Sequence, residues 1–562
     1  MRRSRRFRSG GRGLVPMLAV AFVVLAALPA LAGLTWDPAA TARTANRPRT
    51  CYTTPNTCTD SGFTYTNGET TIAASNNGTT HYLHSLTFSD KPPGDSSNTY
   101  VSYTTDCSTK NDPLTGTPPY CSGVYYTRSS DSGATWTGGD VGVDAKRVGP
   151  GTLHITRGGI AASGQYVYVV YVTTVGYWSS MCAKDARVLY VVRNTDYGAS
   201  GSWDTPIQLT SSSGRVDYPS IAASGTNVYV VNTDSDTGKI MFHRSTNNGS
   251  TFASQGIGFT QNTYDNNTSP GSPGCPSPPT PDGLEGFDGA PVVAGDGTTV
   301  GAAWVRSTGG KVVAKLSSDN GVTWPGGTHG SSCTDSPTSC TQNLTPSGAL
   351  GPQDGTHAAQ RRGAIDIAAS SNRVVFAWKD TTGAIRPKGV YTKSYTVSGG
   401  WAAPRLVACL TTSSPCGSAP LPSTYNDAFS PAIGLWGTTG IGLAFSACPY
   451  TPTPPTNPCD DDSSGPDKDP GAEIIWKESW DNGATWWAGV SGSFTKIAGN
   501  SVTLSEVNEF PVVVMDKPGS TSLGCADGTQ GPEVGCERFV MYTGRSRSFF
   551  DYTVYISRGT QT

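Results

Sequence analysis

The sequence predicts an all-β protein, a single β-propeller with seven four-stranded blades, with six blades as the alternative. Two repeated patterns support this prediction: an eight-residue motif that occurs four times, and a pair of short apolar strands that occurs seven times. The composition agrees, because 68 Gly and 40 Pro in 562 residues are typical of a turn-rich β protein. Repeated strand units that cannot bury their own faces are expected to stack on one another, here around a common axis.

The eight-residue motif reads Ser-x-Asp/Asn-x-Gly-x-Thr-aromatic, and each copy is named an octet below. The copies are Ser129–Trp136, Ser245–Phe252, Ser317–Trp324 and Ser479–Trp486. A short acidic or amide side chain can bond the backbone of a turn, Gly accepts a positive φ, and an aromatic ring packs under a neighbouring strand. The octet therefore predicts a hairpin turn held by side-chain hydrogen bonds.

The octet resembles the Asp-box, or BNR repeat, of the sialidase superfamily and of other β-propellers. The resemblance implies that each octet lies between the third and fourth strands of a blade, at the outer rim. Rim turns lie far from the central channel, so the acidic, amide and aromatic positions are predicted to be structural. These positions are Asp131, Trp136, Asn247, Phe252, Asp319, Trp324, Asp481 and Trp486.

The paired strands begin with a sequence such as PSIAAS, turn at a Gly, and continue as a run rich in Val, Tyr, Phe and Trp. The seven copies span 70–75, 158–172, 219–231, 291–305, 365–378, 431–445, and 511–516 with 538–544. Two blades lack a clean octet, since Asn194–Trp203 is an expanded copy and Tyr391–Trp401 keeps only the Gly and Trp. The last blade ends at Tyr552–Gly559, and Ser61–Tyr65 is the expected source of its fourth strand.

Residues 1–32 predict an export signal. Five arginines up to Arg8 precede an apolar run from Leu14 to Leu31, and Ala30-Leu31-Ala32 is a small-x-small cleavage site. The alternative is an uncleaved anchor, because the run approaches the length of a membrane span. We expect a secreted protein, or a cell-surface one if the segment stays, with a Thr/Pro-rich linker and possible closing strand at 33–67 and the propeller at 68–562.

The 14 cysteines fit an exported protein, in which an even count predicts disulfides. Most fall in neighbouring pairs inside Pro/Gly-rich loops, although the connectivity stays open. The expected partners are Cys51 with Cys58, Cys107 with Cys121, Cys182 with Cys275, Cys333 with Cys340, Cys409 with Cys416, Cys448 with Cys459, and Cys525 with Cys536.

Charge and metal-ligand patterns exclude several partners. Charged residues make up 15% of the chain and the formal net charge is -2, so no basic patch for nucleic acid is expected. No CxxC occurs and the six His are scattered, which argues against a metal centre. Asp460–Asp469 contains part of a calcium-loop pattern, but Gly471 stands where a Glu is expected, and a solvated acidic loop is the alternative. No other cofactor is expected, and we expect a monomer without stable membrane insertion after signal cleavage.

One face of the predicted ring carries most of the long connections, because links from second to third strand and from blade to blade open where the innermost strands begin. These connections are 104–123, 173–187, 260–288, 329–362, 411–427 and 446–473. Loops on a rigid scaffold commonly carry binding sites. The resemblance to sialidases implies that this face holds arginines for a substrate carboxylate, a Tyr with a Glu partner as nucleophile, and an Asp as acid/base.

Residues that lead into innermost strands are the candidates for this chemistry. The candidate catalytic residues are Glu509, Glu506, Asp217, Asp427, Tyr218 and Tyr425. The candidate substrate-binding residues are Arg157, Arg361, Arg362 and Arg215, because Arg can fork onto a carboxylate.

Two functions follow from these candidates. The first is a secreted, sialidase-like propeller that binds glycans and hydrolyses them as an exo-sialidase or related glycosidase. The second is a non-catalytic binding or adhesion propeller that recognises protein or carbohydrate. The first inner strand reads GETTIAAS and lacks the arginine of the Arg-Ile-Pro motif usual in sialidases. The charged residues would then only hydrate the channel mouth and pair with one another.

Overall fold

The computed structural model describes all or part of each strand pair and octet predicted above. The described residues are 34–36, 43–46, 70–77, 79–89, 123–131, 133, 135, 146–147, 154–175, 186–199, 201–211, 216–234, 239–259, 289–306, 311–324, 342–344, 365–370, 372–380, 389–409, 425–449, 473–486, 495–498, 506–515, 538–546 and 552–561. Every regular element among them is a β-strand, so the all-β prediction is confirmed. No helix in these segments could span a membrane.

Two short strands come first in the chain, β1 (Leu34–Trp36) and β2 (Arg43–Asn46). The next three sheets are antiparallel and four-stranded. Sheet I contains β3 (Thr70–Asn76), β4 (His81–Ser89), β5 (Gly123–Ser129) and β6 (Lys146–Arg147). Sheet II contains β7 (His154–Ser163), β8 (Tyr166–Val175), β9 (Ala186–Asn194) and β10 (Ile207–Gln208). Sheet III contains β11 (Val216–Ser224), β12 (Asn227–Asp234), β13 (Lys239–Ser245) and β14 (Ala253–Phe259).

The remaining sheets repeat the same order of strands. Sheet IV contains β15 (Gly289–Gly295), β16 (Val300–Arg306), β17 (Lys311–Ser317) and β18 (Gln342–Asn343). Sheet V contains β19 (Ile365–Ser370), β20 (Arg373–Asp380), β21 (Gly389–Thr396), β22 (Gly400–Trp401) and β23 (Arg405–Cys409). Sheet VI contains β24 (Tyr425–Trp436), β25 (Gly440–Pro449), β26 (Glu473–Ser479) and β27 (Thr495–Ala498). Sheet VII contains β28 (Glu506–Met515), β29 (Arg538–Ser546) and β30 (Tyr552–Gln561), with β1 and β2 paired to β30.

The first strands of the sheets form a closed ring. Each of β3, β7, β11, β15, β19, β24 and β28 contacts the first strand of the next sheet, and β28 contacts β3. A ring of radially arranged antiparallel sheets is a β-propeller, as predicted. The blade count of the whole chain stays a prediction, because only the described strands enter this ring.

Sheet VII joins the two ends of the chain. Strand β30 pairs with β29 and also with β1 and β2, with Leu34 opposite Gln561 and Arg43 opposite Ile556. The predicted closing segment Ser61–Tyr65 lies outside the described residues. Pairing of N-terminal with C-terminal strands inside one sheet removes a free edge that would otherwise attract another chain.

The apolar core lies between neighbouring sheets, so that both faces of a sheet are buried against the sheets beside it. One cluster joins sheets III and IV around Tyr229 and Trp304, and another joins sheets V and VI around Val375 and Phe445. All six inner positions of β12 are buried, and β20 is buried along its full length. The run of consecutive apolar residues in these strands, rather than an alternation, reflects burial on two faces.

The octets form the hydrogen-bonded turns that the sequence predicts. In the octet of sheet IV, the Ser317 hydroxyl donates to Asp319 (2.7 Å) and accepts the N–H of Gly321 (2.8 Å). Asp319 accepts the backbone N–H of Thr323 (2.9 Å) and its hydroxyl (2.5 Å). Corresponding bonds to Asp131, Asn247 and Asp481 hold the other three turns. Burial alone would raise the pKa of Asp319, but the hydrogen bonds from Thr323 and Ser317 lower it below its usual value.

The octet aromatics and glycines pack against the preceding sheet. The ring of Trp324 meets Phe242 of sheet III edge-on with centroids 5.0 Å apart. Gly321 has a φ of 78°, and a Cβ there would stand 2.7 Å from the Phe242 ring. Phe252 and Trp486 are partly buried and pack against apolar clusters, whereas Trp136 lies outside the described residues.

The expanded copy in sheet II is a complete turn with one substituted position. Asn194 occupies the position of the octet Ser, and its Oδ1 accepts the N–H groups of Asp196 (2.9 Å) and Gly198 (2.8 Å). Trp203 then contacts Tyr126 of sheet I edge-on, as Trp324 contacts Phe242. The amide oxygen of Asn replaces the Ser hydroxyl because both accept hydrogen bonds from turn N–H groups.

One long connection is placed differently from the prediction. The sequence assigned 329–362 entirely to the face where the innermost strands begin. Strand β18 lies within this stretch and pairs with β17, so the residues before Gln342 connect a third strand to a fourth. A two-residue strand carries too little periodicity to be recognised in the sequence.

Candidate functional site at the loop end of the channel

The end of the ring at which the innermost strands begin is named the loop end, and the opposite end, with the octets, the turn end. In five sheets the innermost strand carries a β-bulge just after it begins. In four of these sheets the bulge contains a proline, and these residues are Pro219, Pro291, Pro431 and Pro511. Proline fits this position because an innermost strand has one edge that faces the channel instead of another strand. Bulges of this kind commonly re-aim side chains next to a functional site.

Two of the bulges hold a non-glycine residue in the left-handed region. Tyr218 has a φ of 51° and Ser430 a φ of 50°, and each directly precedes a proline. A left-handed L-residue costs about 1 to 2 kcal/mol. Backbone strain at matched positions of two sheets marks this end of the channel as a candidate site.

Two predicted carboxylates occupy the same register in different sheets. Asp217 lies opposite Thr233, and Glu509 lies opposite Thr543, each immediately before the bulge. Glu506, Asp427 and Tyr425 lie further toward the loop end on β28 and β24. The structure thus places these five residues at the loop end of innermost strands, and it describes their backbone only.

Tyr218 is the one predicted catalytic residue whose side chain is described. Its side chain is buried, with a relative exposure of 5%. A buried phenol can act as a nucleophile only toward a ligand that enters the protein at this point. A catalytic role of Tyr218 stays a prediction.

The predicted arginines are only partly placed. Arg157 lies on β7 opposite Val172, next to a bulge of its own. Arg215, Arg361 and Arg362 lie outside the described residues. Convergence of the arginines on one ligand therefore stays a prediction.

Four buried hydroxyls at this end lack a hydrogen-bond partner in the described part of the chain. They belong to Thr71, Thr233, Ser430 and Ser446. Thr233 and Ser446 occupy matched positions, because each pairs with the residue just before a bulge. An unsatisfied buried hydroxyl costs about 1 to 3 kcal/mol. A polar ligand or ordered water at this mouth would satisfy them.

Asp366 is a candidate that the sequence reasoning missed. It is the second residue of the innermost strand β19, and its Oδ2 accepts the backbone N–H of Ile433 on the next innermost strand (2.8 Å). Burial raises the pKa of Asp366 to about 6, against hydrogen bonds from the N–H groups of Ile433 and Ile367 that lower it. A carboxyl group that titrates near neutral pH can both donate and accept a proton. The signal in the sequence was the acidic residue in IDIAAS, at a position that is Ser, Thr or apolar in other repeats.

Metal and disulfide predictions remain open. No group of three or more metal-binding side chains occurs among the described residues, and Asp460–Asp469 lies outside them. Cys409 and Cys448 lie on strands β23 and β25, while the other twelve cysteines fall outside the described segments. The seven expected bridges stay predictions.

Comparison with known proteins gives structural likeness only. No protein-family model and no curated protein matches the chain. A mutant Trypanosoma rangeli sialidase displaying trans-sialidase activity is similar in structure, with a TM-score of 0.41 and 10% identity over 94% of this chain. This chain spans 59% of that protein.

Two further similar structures are also sialidases or trans-sialidases. The NanB sialidase from Streptococcus pneumoniae has a TM-score of 0.34 and 10% identity, covering 67% of this chain and 64% of that one. The leech intramolecular trans-sialidase has a TM-score of 0.36 and 8% identity, covering 72% and 67%. The likeness at this identity does not extend to activity.

Proposed function

We propose that this chain is a secreted β-propeller that binds glycans at the loop end of its channel and hydrolyses a terminal glycosidic bond, in the manner of an exo-sialidase. The observation that carries the proposal is the repeated architecture of this mouth. Asp217 and Glu509 occupy matched positions just before X-Pro bulges, and the bulge after Asp217 is strained at Tyr218. Asp366, a carboxyl group with a raised pKa, lies near the start of another innermost strand. Most glycosidases use two carboxyl groups in different protonation states, and sialidases replace the nucleophilic one with a Tyr.

The environments of the carboxylates suggest separate roles. Asp366 is enclosed and titrates near pH 6, so it is suited to give a proton to the leaving oxygen. Asp217 and Glu509 lie at strand ends beside the long loops, and a carboxylate in either place would stabilise positive charge at the anomeric carbon. The arginines Arg157, Arg361 and Arg362 would hold an anionic group of the sugar.

A non-catalytic glycan- or protein-binding propeller is the second candidate. It is favoured by β3, the innermost strand of sheet I, which contains no arginine where sialidases usually carry their first one. In that case the same mouth binds a ligand without turnover. Export of the chain belongs to both versions of the proposal.

The test is a glycan array combined with a fluorogenic sialoside and a panel of aryl glycosides. Wild type is compared with Asp366→Asn, with Glu509→Gln and with the double variant Arg361→Ala/Arg362→Ala. We expect turnover to fall about 100-fold or more in Asp366→Asn, the usual contribution of general acid catalysis. Binding should weaken mainly in the double arginine variant.

The matched control is Asp319→Asn in an octet at the turn end. It changes an aspartate to its amide far from the mouth, and Asn247 already fills the same position in another octet. Its activity should equal that of wild type. Binding without turnover in wild type would select the second candidate, and neither binding nor turnover would remove glycans as the ligand.

A further inference from the structure

Three polar side chains form a continuous relay across sheet III, on strands outside the innermost β11. The hydroxyl of Ser254 on β14 lies 2.6 Å from Nδ1 of His243 on β13. Nε2 of the same ring lies 2.8 Å from Oδ1 of Asn232 on β12. His243 and Ser254 are directly opposite each other, whereas Asn232 is offset by two residues, so all three share one face of the sheet.

The hydrogen bonds indicate which nitrogen of the neutral His243 ring carries the proton. Asn232 donates through Nδ2 to the carbonyl oxygen of Thr233 (3.1 Å), which leaves Oδ1 as the acceptor that faces His243. Nε2 must then carry the ring proton, and Nδ1 accepts the proton of the Ser254 hydroxyl. Burial lowers the pKa of His243 to about 4, so the ring is neutral at physiological pH and free to accept.

The relay runs from the protein interior to solvent. Asn232 and His243 are buried, with exposures of 0% and 1%, whereas Ser254 is exposed. Strand β14 is the outermost strand of sheet III, so one of its edges carries backbone N–H groups that pair with no described strand. On an antiparallel edge, either the N–H of Ser254 or those of its two neighbours point outward. A developing oxyanion next to Ser254 would meet such donors.

A second serine and histidine contact in sheet I lacks this access. Ser75 lies 2.7 Å from Nε2 of His84, and Nδ1 of His84 lies 2.8 Å from the hydroxyl of Tyr126. All three residues are buried, with exposures of 7%, 0% and 3%. Each cluster contains a hydrogen bond between a serine and a histidine, but only the cluster of sheet III reaches the protein surface.

We infer that Ser254, His243 and Asn232 form a nucleophilic site that accepts acyl groups from small esters. The Ser254 oxygen attacks the ester carbonyl while its proton moves to Nδ1 of His243. The bond from carbonyl carbon to the leaving oxygen then breaks, and His243 returns the proton to that oxygen. Water then gives a proton to Nδ1 of His243 and attacks the acyl carbon. The bond to the Ser254 oxygen breaks, His243 returns the proton to that oxygen, and the carboxylic acid leaves. This ester-cleaving site is separate from the proposed glycan site, because its residues lie on strands of sheet III outside the innermost β11.

The experiment uses a fluorophosphonate probe on the full chain, with the adduct located by peptide mass spectrometry, and p-nitrophenyl acetate as the turnover substrate. We expect one adduct, on Ser254, and none on Ser75. Labelling should disappear in Ser254→Ala and fall about 100-fold in His243→Gln, the range of general base catalysis. The matched control is Ser318→Ala, an exposed serine on an octet, which should label as wild type does.

Asn232→Asp separates a chemical role from a structural one. A carboxylate there should raise the pKa of His243 and shift the pH profile of labelling upward, while the melting temperature confirms that the variant is folded. Equal labelling of wild type and Ser254→Ala, adducts spread over many exposed serines, or a pH profile unchanged in a folded Asn232→Asp would overturn the inference.

Discussion

At the scale of single residues, aspartates on the two ends of the propeller have pKa values shifted in opposite directions. Asp319 receives hydrogen bonds from a turn at the exposed rim, which lower its pKa. Asp366 is enclosed by two innermost strands, and burial raises its pKa to about 6. The octet pattern predicted the first environment because the turn is local in sequence. The second depends on Ile433 of the next sheet, 67 residues away, and no local pattern contains that contact.

The two aspartates should affect stability with opposite dependence on pH. A raised folded pKa means that the native state binds the proton of Asp366 more tightly than the unfolded chain, so its contribution falls as pH rises from about 4 to 7. Relative to Asp366→Asn, wild type should lose about 2 to 3 kcal/mol over this range. Urea unfolding of both proteins at several pH values measures the difference.

Asp319→Asn is the control, because the contribution of Asp319 to the free energy of unfolding should depend on pH with the opposite sign. A lowered folded pKa stabilises the native state above the unfolded pKa, and this contribution disappears as pH falls below about 4. If Asp366→Asn showed the pH dependence of wild type, the enclosed state of that carboxyl group would be contradicted.

At the scale of elements, neighbouring sheets are joined by arginines that the octet pattern did not include. In sheets I to III the residue just before the octet turn is an arginine, and each arginine donates to a backbone carbonyl at the fourth position of the turn in the next sheet. Arg128 donates to Tyr197 (2.9 Å), Arg193 to Asn248 (2.7 Å) and Arg244 to Asn320 (3.1 Å). The recurring Arg was visible in the sequence, but its partner lies in another repeat.

The strand pairs and octets could be predicted because each is a contiguous pattern. The bulges could not, since an X-Pro dipeptide at the start of a strand does not reveal that Tyr218 adopts a positive φ. The two-residue strand β18 was missed for a similar reason. Of the candidate site, sequence reasoning identified the strand ends and their carboxylates, whereas the hydroxyls and Asp366 required the packing of neighbouring sheets.

Arg193→Ala should destabilise the fold by about 1 to 3 kcal/mol, because it removes charge-assisted hydrogen bonds and leaves the Asn248 carbonyl with fewer donors. Arg193 also contacts Asp204 (2.6 Å) and the Ser250 hydroxyl (2.7 Å). Thermal and urea unfolding measure the effect. Arg405→Ala, at an exposed position of β23, is the matched control and should change stability by less than about 0.5 kcal/mol. Equal effects of the two substitutions would count against an inter-sheet role.

Trp324→Ala tests the octet as a packing element. The ring is buried against Phe242, and removal of a large buried aromatic costs about 3 to 5 kcal/mol. An unchanged melting temperature would refute the structural interpretation of the octet.

At the scale of the whole molecule, sheet VII contains both early and late strands of the chain, and the innermost strands of the ring surround the channel opening at the loop end. Strands β1 and β2 pair with β30, so N-terminal residues contribute to the last sheet. The mouth collects the bulges, the matched carboxylates and the unsatisfied hydroxyls at one end, and the octets lie at the other. The hydrogen-bonded turns and the candidate site therefore lie at opposite ends of the propeller.

Removal of residues 34–46 should lower the melting temperature by several degrees, because β30 loses its partners on one edge. Scanning calorimetry of the shortened and full-length proteins measures the shift. If removal of residues 34–46 weakened ligand binding by as much free energy as it lowered stability, the two ends of the propeller would not be independent.

Hydrogen–deuterium exchange with and without 3'-sialyllactose tests the placement of the glycan site at the loop end, because backbone amides covered by a bound glycan exchange more slowly. We expect slower exchange in 216–220, 428–433 and 506–513, near the beginnings of innermost strands, and unchanged exchange in the octet turns 245–252 and 317–324. Protection confined to the octet turns, or no protection at saturating glycan, would contradict the assignment of the loop end as the glycan site.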